Sequence, residues 1–143
     1  MTEIDFYTHC RDPLAVAARI CGKAFAQKRR VRVLTADAAM TESLDQLLWR
    51  TPATGFVPHC RLGSRLAGET PVLVDHALDH QGPAEVLVNL GPEPPPFFGR
   101  FDRLAEIVGA HEAELAQGRE RYRFYRERGY ALRNHRMDNG ETA

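Results

Sequence analysis

The stretch VRVLTADAAMTESLDQLLW, residues 31–49, decides the fold that this chain can adopt. Its first six residues, Val31–Ala36, are mostly β-branched or apolar, which is typical of a central strand buried on both faces. Asp37 follows in the position of a helix N-cap. Three leucines then recur at the spacing of one apolar helix face, namely Leu44, Leu47 and Leu48. We therefore predict a buried strand that leads directly into a helix ending at Trp49.

The residues before this stretch predict one more strand and one more helix. Ile4–His9 is a short alternating apolar run, which suits a first strand. Asp12 and Pro13 suit the N-cap and the first position of a helix that runs to about Gln27. A strand–helix–strand–helix order at this spacing indicates a parallel sheet with helices on its faces.

The residues after this stretch carry the most prominent aromatic side chains. Pro52 ends the helix, because its ring disfavours the α region for the preceding residue. The only tryptophan, Trp49, therefore lies at a helix end, a few residues before the rigid apolar sequence Phe56-Val57-Pro58. On composition alone, such aromatic side chains are either core residues or docking residues.

The rest of the chain predicts three further strands and a long last helix: Pro71–Val74, Glu85–Leu90, Leu104–Val108 and His111–Arg128. The Pro-rich segment Gly91–Pro96 is predicted to be an extended loop, since no helix or central strand could contain it. We predict a single α/β domain over residues 1–136, with three α/β/α layers around a mainly parallel sheet. Residues 137–143 are expected to form a flexible tail.

Charge is balanced overall but segregated along the chain. Lys+Arg and Asp+Glu number 19 each, so total charge predicts no partner. However, seven arginines lie between Arg119 and Arg136 against two glutamates, which favours an acidic partner at one face.

Three cysteines in no C-x-x-C pair argue against a secreted disulfide framework, and no apolar run approaches a membrane span. We expect a cytoplasmic protein without a membrane partner.

The motifs that bind nucleotide phosphates are missing from both strand-to-helix turns. Gly22-Lys23 is followed by Ala24 and lies in the middle of a predicted helix, so it does not form a P-loop. The turn after the first strand, residues 9–12, contains no glycine. We therefore expect no nucleotide-binding motif and no cofactor.

Two segments suggest other chemistry. Cys60 precedes Arg65 by four intervening residues, one fewer than the loop of cysteine phosphatases, so a small hydrolase using Cys60 remains an alternative hypothesis. His76 and His80 are four residues apart, a spacing that suits metal ligands on a helix. Because the Gly-Pro that follows indicates a loop, we interpret this segment as a solvated polar loop without metal.

The segment with the most unusual composition lies in the last predicted helix. One helix face there carries three arginines around a tyrosine: Arg119, Tyr122, Arg123 and Arg126. Guanidinium groups beside an aromatic ring could bind a carboxylate group, and they could equally bind DNA phosphates. A solvated amphipathic helix is a third interpretation.

Several short motifs together resemble one known family. They are Asp5-Phe6-Tyr7, the strand–helix stretch ending in Leu48-Trp49, Phe56-Val57-Pro58-His59, and Arg119-Glu120-Arg121-Tyr122 followed by Tyr125-Arg126 and Gly129. In order and spacing they resemble the chi subunits of the bacterial DNA polymerase III holoenzyme, which are accessory proteins of the clamp loader. The resemblance covers nearly the whole chain and is weakest over residues 61–83, over the Pro-rich loop and beyond His135.

The resemblance implies a non-enzymatic adaptor with a Rossmann-like fold that lacks the nucleotide motif. One face would bind the acidic, Phe-terminated tail of single-stranded DNA-binding protein, through Val108, Arg119, Tyr122, Arg123 and Leu132. A separate face would bind the psi subunit of the clamp loader, through Leu44, Trp49, Phe56 and Val57. A helicase-like repair protein is a further implied partner at that second face.

One residue departs from the family pattern. Leu115 stands where a basic residue would be expected one turn upstream of Arg119, which leaves the tail site less positive. A basic face without base-stacking motifs favours an adaptor over a domain that binds nucleic acid directly, and we expect no tight direct binding of DNA.

Overall fold

The computed structural model describes residues 1–50 and 57–139 of the chain. Its regular elements are seven strands and three helices in these described residues: β1 (Glu3–Cys10), α1 (Pro13–Ala26), β2 (Val31–Leu34), α2 (Ala38–Arg50), β3 (His59–Cys60), β4 (Val72–Asp75), β5 (Val86–Asn89), β6 (Arg103–Gly109), α3 (Glu112–Glu127) and β7 (Leu132–Arg136). Two short 3-10 turns, Phe98–Arg100 and Met137–Asn139, complete the described structure.

The strands form one sheet in the order β3-β4-β2-β5-β6-β1-β7, and every described pair is parallel. Helices α1 and α2 cover one face, where their apolar side chains pack on the valines of β2, β4 and β5. Helix α3 covers the other face, over Phe6, Leu87 and Leu104. The predicted three-layer α/β/α architecture around a parallel sheet is therefore confirmed.

Both strand-to-helix turns end in an aspartate that caps the next helix. An Asp12 carboxylate oxygen accepts a hydrogen bond from the Ala15 amide at 3.2 Å, and Asp37 accepts one from the Met40 amide at 2.8 Å. In nucleotide-binding α/β proteins a phosphate group lies at such a helix N-terminus. Here a carboxylate of the protein itself occupies that position at α1 and at α2.

The predicted elements agree with the observed ones to within about two residues at most boundaries. Two strands were not predicted, β3 and β7. Strand β3 has only two residues, and β7 has the sequence LRNHR, which offers one apolar side chain and no alternating pattern. The expected tail begins with a 3-10 turn in which Met137 packs against the core, and residues 140–143 lie outside the described part. The flexibility of that tail stays a prediction.

The loop after β4 is held by a buried arginine, Arg32. Its guanidinium donates hydrogen bonds to the carbonyl oxygens of Ala77 and Asp79, both at 2.6 Å, and its carbon Cζ lies 5.2 Å from the centroid of the Phe97 ring. Burial lowers the pKa of Arg32 to about 10. Carbonyl groups of the loop and of Asp75 at the end of β4 are thus tied to the central strand, because a buried guanidinium must use its donors.

The prediction that this loop is solvated was wrong for His80. This side chain is only 2% exposed, and its ring centroid lies 4.9 Å from that of Phe101. Its Nε2 atom lies 2.9 Å from the Pro83 carbonyl oxygen. Burial lowers the pKa of His80. The polar sequence of this loop predicts solvent exposure. His80 is buried nevertheless, because it packs against Arg32, Phe97 and Phe101, which come from distant segments of the chain.

A second polar cluster lies in the core beneath α3. The Glu106 carboxylate on β6 is fully buried and accepts hydrogen bonds from Arg121 Nε at 2.8 Å and from Asn89 Nδ2 at 3.0 Å. The Tyr125 hydroxyl donates a further, short hydrogen bond to it. Burial, together with this neighbouring carboxylate, raises the pKa of Tyr125 far above its ordinary value. The carboxylate therefore joins α3, β5 and β6.

Edge strand β7 is attached to the sheet through Asp5 of β1. The Arg133 guanidinium donates two hydrogen bonds to this carboxylate, at 2.9 and 3.0 Å, and His135 Nε2 lies 3.0 Å from it. Burial alone would raise the pKa of Asp5, but the hydrogen bonds from His135 and Arg133 outweigh it and lower that pKa.

Within the described residues, no helix combines the length and the apolar character that crossing a bilayer requires.

We predict that Glu106→Ala lowers the free energy of unfolding by about 3–5 kcal/mol, because it leaves the buried Arg121 guanidinium without its carboxylate. The matched control is Glu120→Ala, which removes the exposed partner of Arg123 on the same helix and should cost less than about 1 kcal/mol. Urea unfolding monitored by circular dichroism measures both. Equal effects of the two variants would contradict a structural role for the buried cluster.

We predict that Asp5→Asn lowers the melting temperature at neutral pH by about 3–6 °C, because β7 loses its charged attachment. The folded-state pKa of Asp5 lies below its ordinary value of 3.8, so this stabilisation is present above that pH. It is lost as the pH falls through the lower, folded-state value. Thermal melts of both proteins should therefore converge in acid, and a difference that persists undiminished there would refute the assignment.

Candidate partner-binding sites

A cavity of about 330 Å3 opens between α3 and the strands β6, β1 and β7. We call it the α3 cavity. Its lining is mostly apolar and consists of Phe6, Thr8, His9, Val108, Leu115, Gly118, Arg119, Tyr122 and Asn134. Three of the residues predicted for the tail site, Val108, Arg119 and Tyr122, therefore meet in one cavity.

The close approach of α3 to β6 shapes the floor of this cavity. A Cβ atom added to Gly118 would lie 2.7 Å from the Cγ1 atom of Val108, which is closer than real Cβ atoms approach any neighbour. Only glycine lets the helix pack this near to the strand. The Tyr122 ring lies edge-to-face on Phe6, with centroids 5.3 Å apart, and Asn134 donates a hydrogen bond to its hydroxyl. The floor is thus a fixed aromatic and aliphatic surface.

Among the described lining residues, Arg119 is the one that carries a permanent charge. It lies exposed on α3, at the rim of the cavity. Arg123 does not line the cavity and instead forms an exposed ion pair with Glu120 at 3.1 Å. Leu132 is half-buried on β7 and packs against the core cluster that contains Phe6 and Val108. Leu115 lines the cavity and adds apolar surface but no charge.

Sequence reasoning did not identify several lining residues. Phe6, Thr8 and His9 follow one another closely on β1, and only the spatial neighbourhood of β1 and β6 reveals that they face this cavity. Asn134 lies on the unpredicted strand β7. Gly118 could have been identified from the sequence, since a glycine within a long helix usually marks a position of close packing.

The second set of predicted residues lies around the end of α2. Trp49 is 61% exposed, and its ring lies edge-to-face on His59, with centroids 5.1 Å apart. His59 Nδ1 donates a hydrogen bond to the Val57 carbonyl oxygen at 2.7 Å, and Nε2 lies 3.2 Å from the Asp45 carboxylate. We call Trp49, His59 and Asp45 the Trp49 patch.

The other residues predicted for this second site differ in position. Leu44 and Val57 are buried in the core beneath α2, so they support the Trp49 patch from below. Phe56 lies outside the described residues. In the free domain, therefore, Trp49 is the exposed large apolar side chain of this set among those that are described.

The described residues do not form a hydrolase site around Cys60 or a metal site around His76 and His80. Cys60 is half-buried on β3, and the preceding His59 directs its two ring nitrogens toward Val57 and Asp45. Nδ1 of His76 lies 3.3 Å from the Thr41 hydroxyl, whereas Nδ1 of His80 lies 3.4 Å from the Arg32 guanidinium. Residues 1–50 and 57–139 contain no group of three or more His, Cys, Asp and Glu side chains that could hold a metal ion.

Comparison with known proteins gives a consistent result. The family model described as DNA polymerase III chi subunit, HolC, matches residues 1–133. A chain from Pseudomonas aeruginosa with the name DNA polymerase III subunit chi is 36% identical over 141 residues, which cover 96% of this chain and 98% of that relative. Chains of the same name from Escherichia coli and Haemophilus influenzae are 26% and 25% identical over 118 residues, covering 82% of this chain and 80% and 82% of those relatives. This chain therefore belongs to the DNA polymerase III chi subunit family, the family of a replication accessory subunit.

Proposed function

We propose that the chain is a non-catalytic adaptor that holds two replication proteins at once. The α3 cavity binds the acidic, Phe-terminated tail of single-stranded DNA-binding protein, and the Trp49 patch binds a psi-type subunit of the clamp loader. The observation that carries this proposal is an apolar cavity with a single arginine at its rim, in a chain of the chi family. Such an adaptor acts in the cytoplasm, with the replication machinery.

The chemistry of the α3 cavity suits the end of such a tail. Its volume of about 330 Å3 lies within the range of pockets that enclose small ligands, and its floor of Phe6, Val108 and Tyr122 suits an aromatic side chain. A terminal Phe brings a ring and a carboxylate group close together. The Arg119 guanidinium at the rim can form charge-assisted hydrogen bonds with that carboxylate group.

The charge around the cavity suits the acidic residues that precede the terminal Phe. Arg123 and Arg126 lie exposed on α3 beyond Arg119, and among the described residues Arg123 is paired with the exposed Glu120. An exposed ion pair of this kind contributes little stability, so it can exchange its partner for a carboxylate group of the tail at little cost.

The Trp49 patch suits a protein partner. A tryptophan that is 61% exposed and held in place by a ring beneath it has the features of a binding hot spot, because its large apolar area is available and its geometry is fixed. Leu44 and Val57 then act indirectly, by supporting the base of the patch. A helicase-like protein that uses the same patch would compete with the psi-type subunit.

We predict that Arg119→Ala weakens binding of an acidic peptide ending in Phe about tenfold, because a charge-assisted contact to the terminal carboxylate group is lost. Arg65→Ala removes the same charge from an exposed position in the loop between β3 and β4 and serves as the control, with a change of less than about threefold. Fluorescence anisotropy with a labelled peptide measures both. The same assay should show almost no binding of a peptide without its Phe, and undiminished binding of that peptide would refute the proposed site.

We predict that Trp49→Ala leaves the melting temperature nearly unchanged but costs about 2 kcal/mol or more of binding to a psi-type subunit. The matched variant Leu48→Ala, on the buried face of the same helix, should instead destabilise the fold by about 2–5 kcal/mol. Thermal melts and calorimetric titration separate these effects. Binding of the tail peptide should be unchanged in Trp49→Ala. A large drop in the melting temperature of that variant would show that Trp49 is a core residue.

A further inference from the structure

His9 lies in a strained part of β1. Its φ angle is 57°, in the left-handed region that residues other than glycine rarely adopt. The pairing between β1 and β6 also shifts register between Tyr7 and Cys10. Backbone strain of this kind persists only where the surrounding structure maintains it, and it is concentrated at functional sites. The regular alternation of β1 is thus interrupted at His9, one of the β1 residues that line the α3 cavity.

The His9 side chain lines the α3 cavity together with Arg119, Tyr122 and Val108. Its Nδ1 atom lies 2.9 Å from the Thr8 hydroxyl, which orients the ring. In the described part of the chain, Nε2 makes no hydrogen bond. His9 is also the one histidine among the described residues that line this cavity, beside the single permanent charge of Arg119.

We propose that His9 is the second anion-recognising residue of the α3 cavity and that its protonation sets the affinity for an acidic peptide. This inference rests on the proposed function of the cavity. A peptide that ends in Phe after acidic residues brings at least two negative charges to one arginine. A protonated imidazole on the β1 side would contact a second carboxylate group, whereas a neutral imidazole would not provide this attraction.

Charged groups of both signs lie near His9 and near the next residue of β1, Cys10. Arg119 of α3 lines the cavity with His9, and Asp138 of the 3-10 turn after β7 interacts with His9 and is paired with Arg136. Arg19 of α1 and Glu114 of α3 act on Cys10. Asp138 is neutralised by Arg136, which donates hydrogen bonds to it at 2.7 and 3.2 Å. The Glu114 carboxylate lies against Gly109, the β6 residue that pairs with Cys10. The bound peptide therefore supplies the additional negative charge that favours a protonated His9.

This arrangement determines the direction in which peptide affinity should change with pH. Aspartate side chains of the peptide titrate near pH 4, so the peptide keeps its charge between about pH 8 and pH 5.5. Histidine is the side chain type whose charge can change within that range. Affinity should therefore rise as the pH falls, and peptide binding should be accompanied by proton uptake.

The experiment compares the full chain with His9→Asn, because asparagine tolerates a positive φ angle and carries no titratable charge. Anisotropy titrations use a labelled acidic peptide ending in Phe, at constant ionic strength, from about pH 8 to about pH 5.5. We expect the affinity of the unaltered chain to rise about threefold to fivefold over this range. The affinity of His9→Asn should stay constant and match that of the unaltered chain at the alkaline end.

A rescue variant tests whether charge in the cavity is the cause. Leu115→Lys, added to His9→Asn, places a permanent charge on the α3 side of the same cavity, and it should restore tight binding at every pH. If His9→Asn kept the pH dependence of the unaltered chain, the role of His9 would be refuted while the tail site remained. If the unaltered chain failed to bind the peptide at any pH, the proposed function itself would fail.

Discussion

The position of α3 depends on one buried carboxylate group, that of Glu106. An ionised group without solvent must have its hydrogen-bond acceptors satisfied, and here the donors come from Asn89, Arg121 and Tyr125. Two of these donors lie on α3, which sets the rotation of the helix over the sheet. The exposed face of α3 then carries Arg119 and Tyr122 toward the cavity. The polar core thus decides which face of an arginine-rich helix can meet a partner.

The same cluster also orders the Pro-rich loop. Asn89 donates a hydrogen bond to the Glu93 carbonyl oxygen at 3.0 Å, and Arg121 donates one to the Pro92 carbonyl oxygen at 3.1 Å. Proline residues have no N–H group to donate to a strand ladder, so this loop needs such side-chain anchors. A comparable device, the buried Arg32 guanidinium, orders the loop after β4. In both loops, hydrogen bonds from buried polar side chains to backbone carbonyl groups hold the chain where no helix or strand does.

The strand order separates the two proposed sites. The α3 cavity is built on β6, β1 and β7 at one edge of the sheet, whereas the Trp49 patch adjoins β3 at the other edge. A parallel α/β sheet is a rigid spacer, since both of its faces are packed under helices. An adaptor gains from this arrangement because two partners can be held without a steric conflict between them.

The amino-acid sequence by itself determined the parallel α/β architecture, because the strand of Val31–Ala36 and its helix follow strong local rules of hydrophobic spacing and capping. It also excluded a phosphate-binding loop and marked the arginine-rich face of α3. Only the tertiary structure decided which arginines are exposed. Arg121 looks like its neighbours in sequence but is buried on Glu106, a residue 15 positions away.

Tertiary structure likewise decided the membership of the α3 cavity. His9 and Asn134 are 125 residues apart and meet only because β1 pairs with β6 on one side and with β7 on the other. Strand β7 has no pattern of its own and is held by the hydrogen bonds of Arg133 to Asp5. Local sequence rules describe contacts between near neighbours in the chain. Edge strands, buried ion pairs and cavities depend on contacts across the chain, which no local pattern encodes.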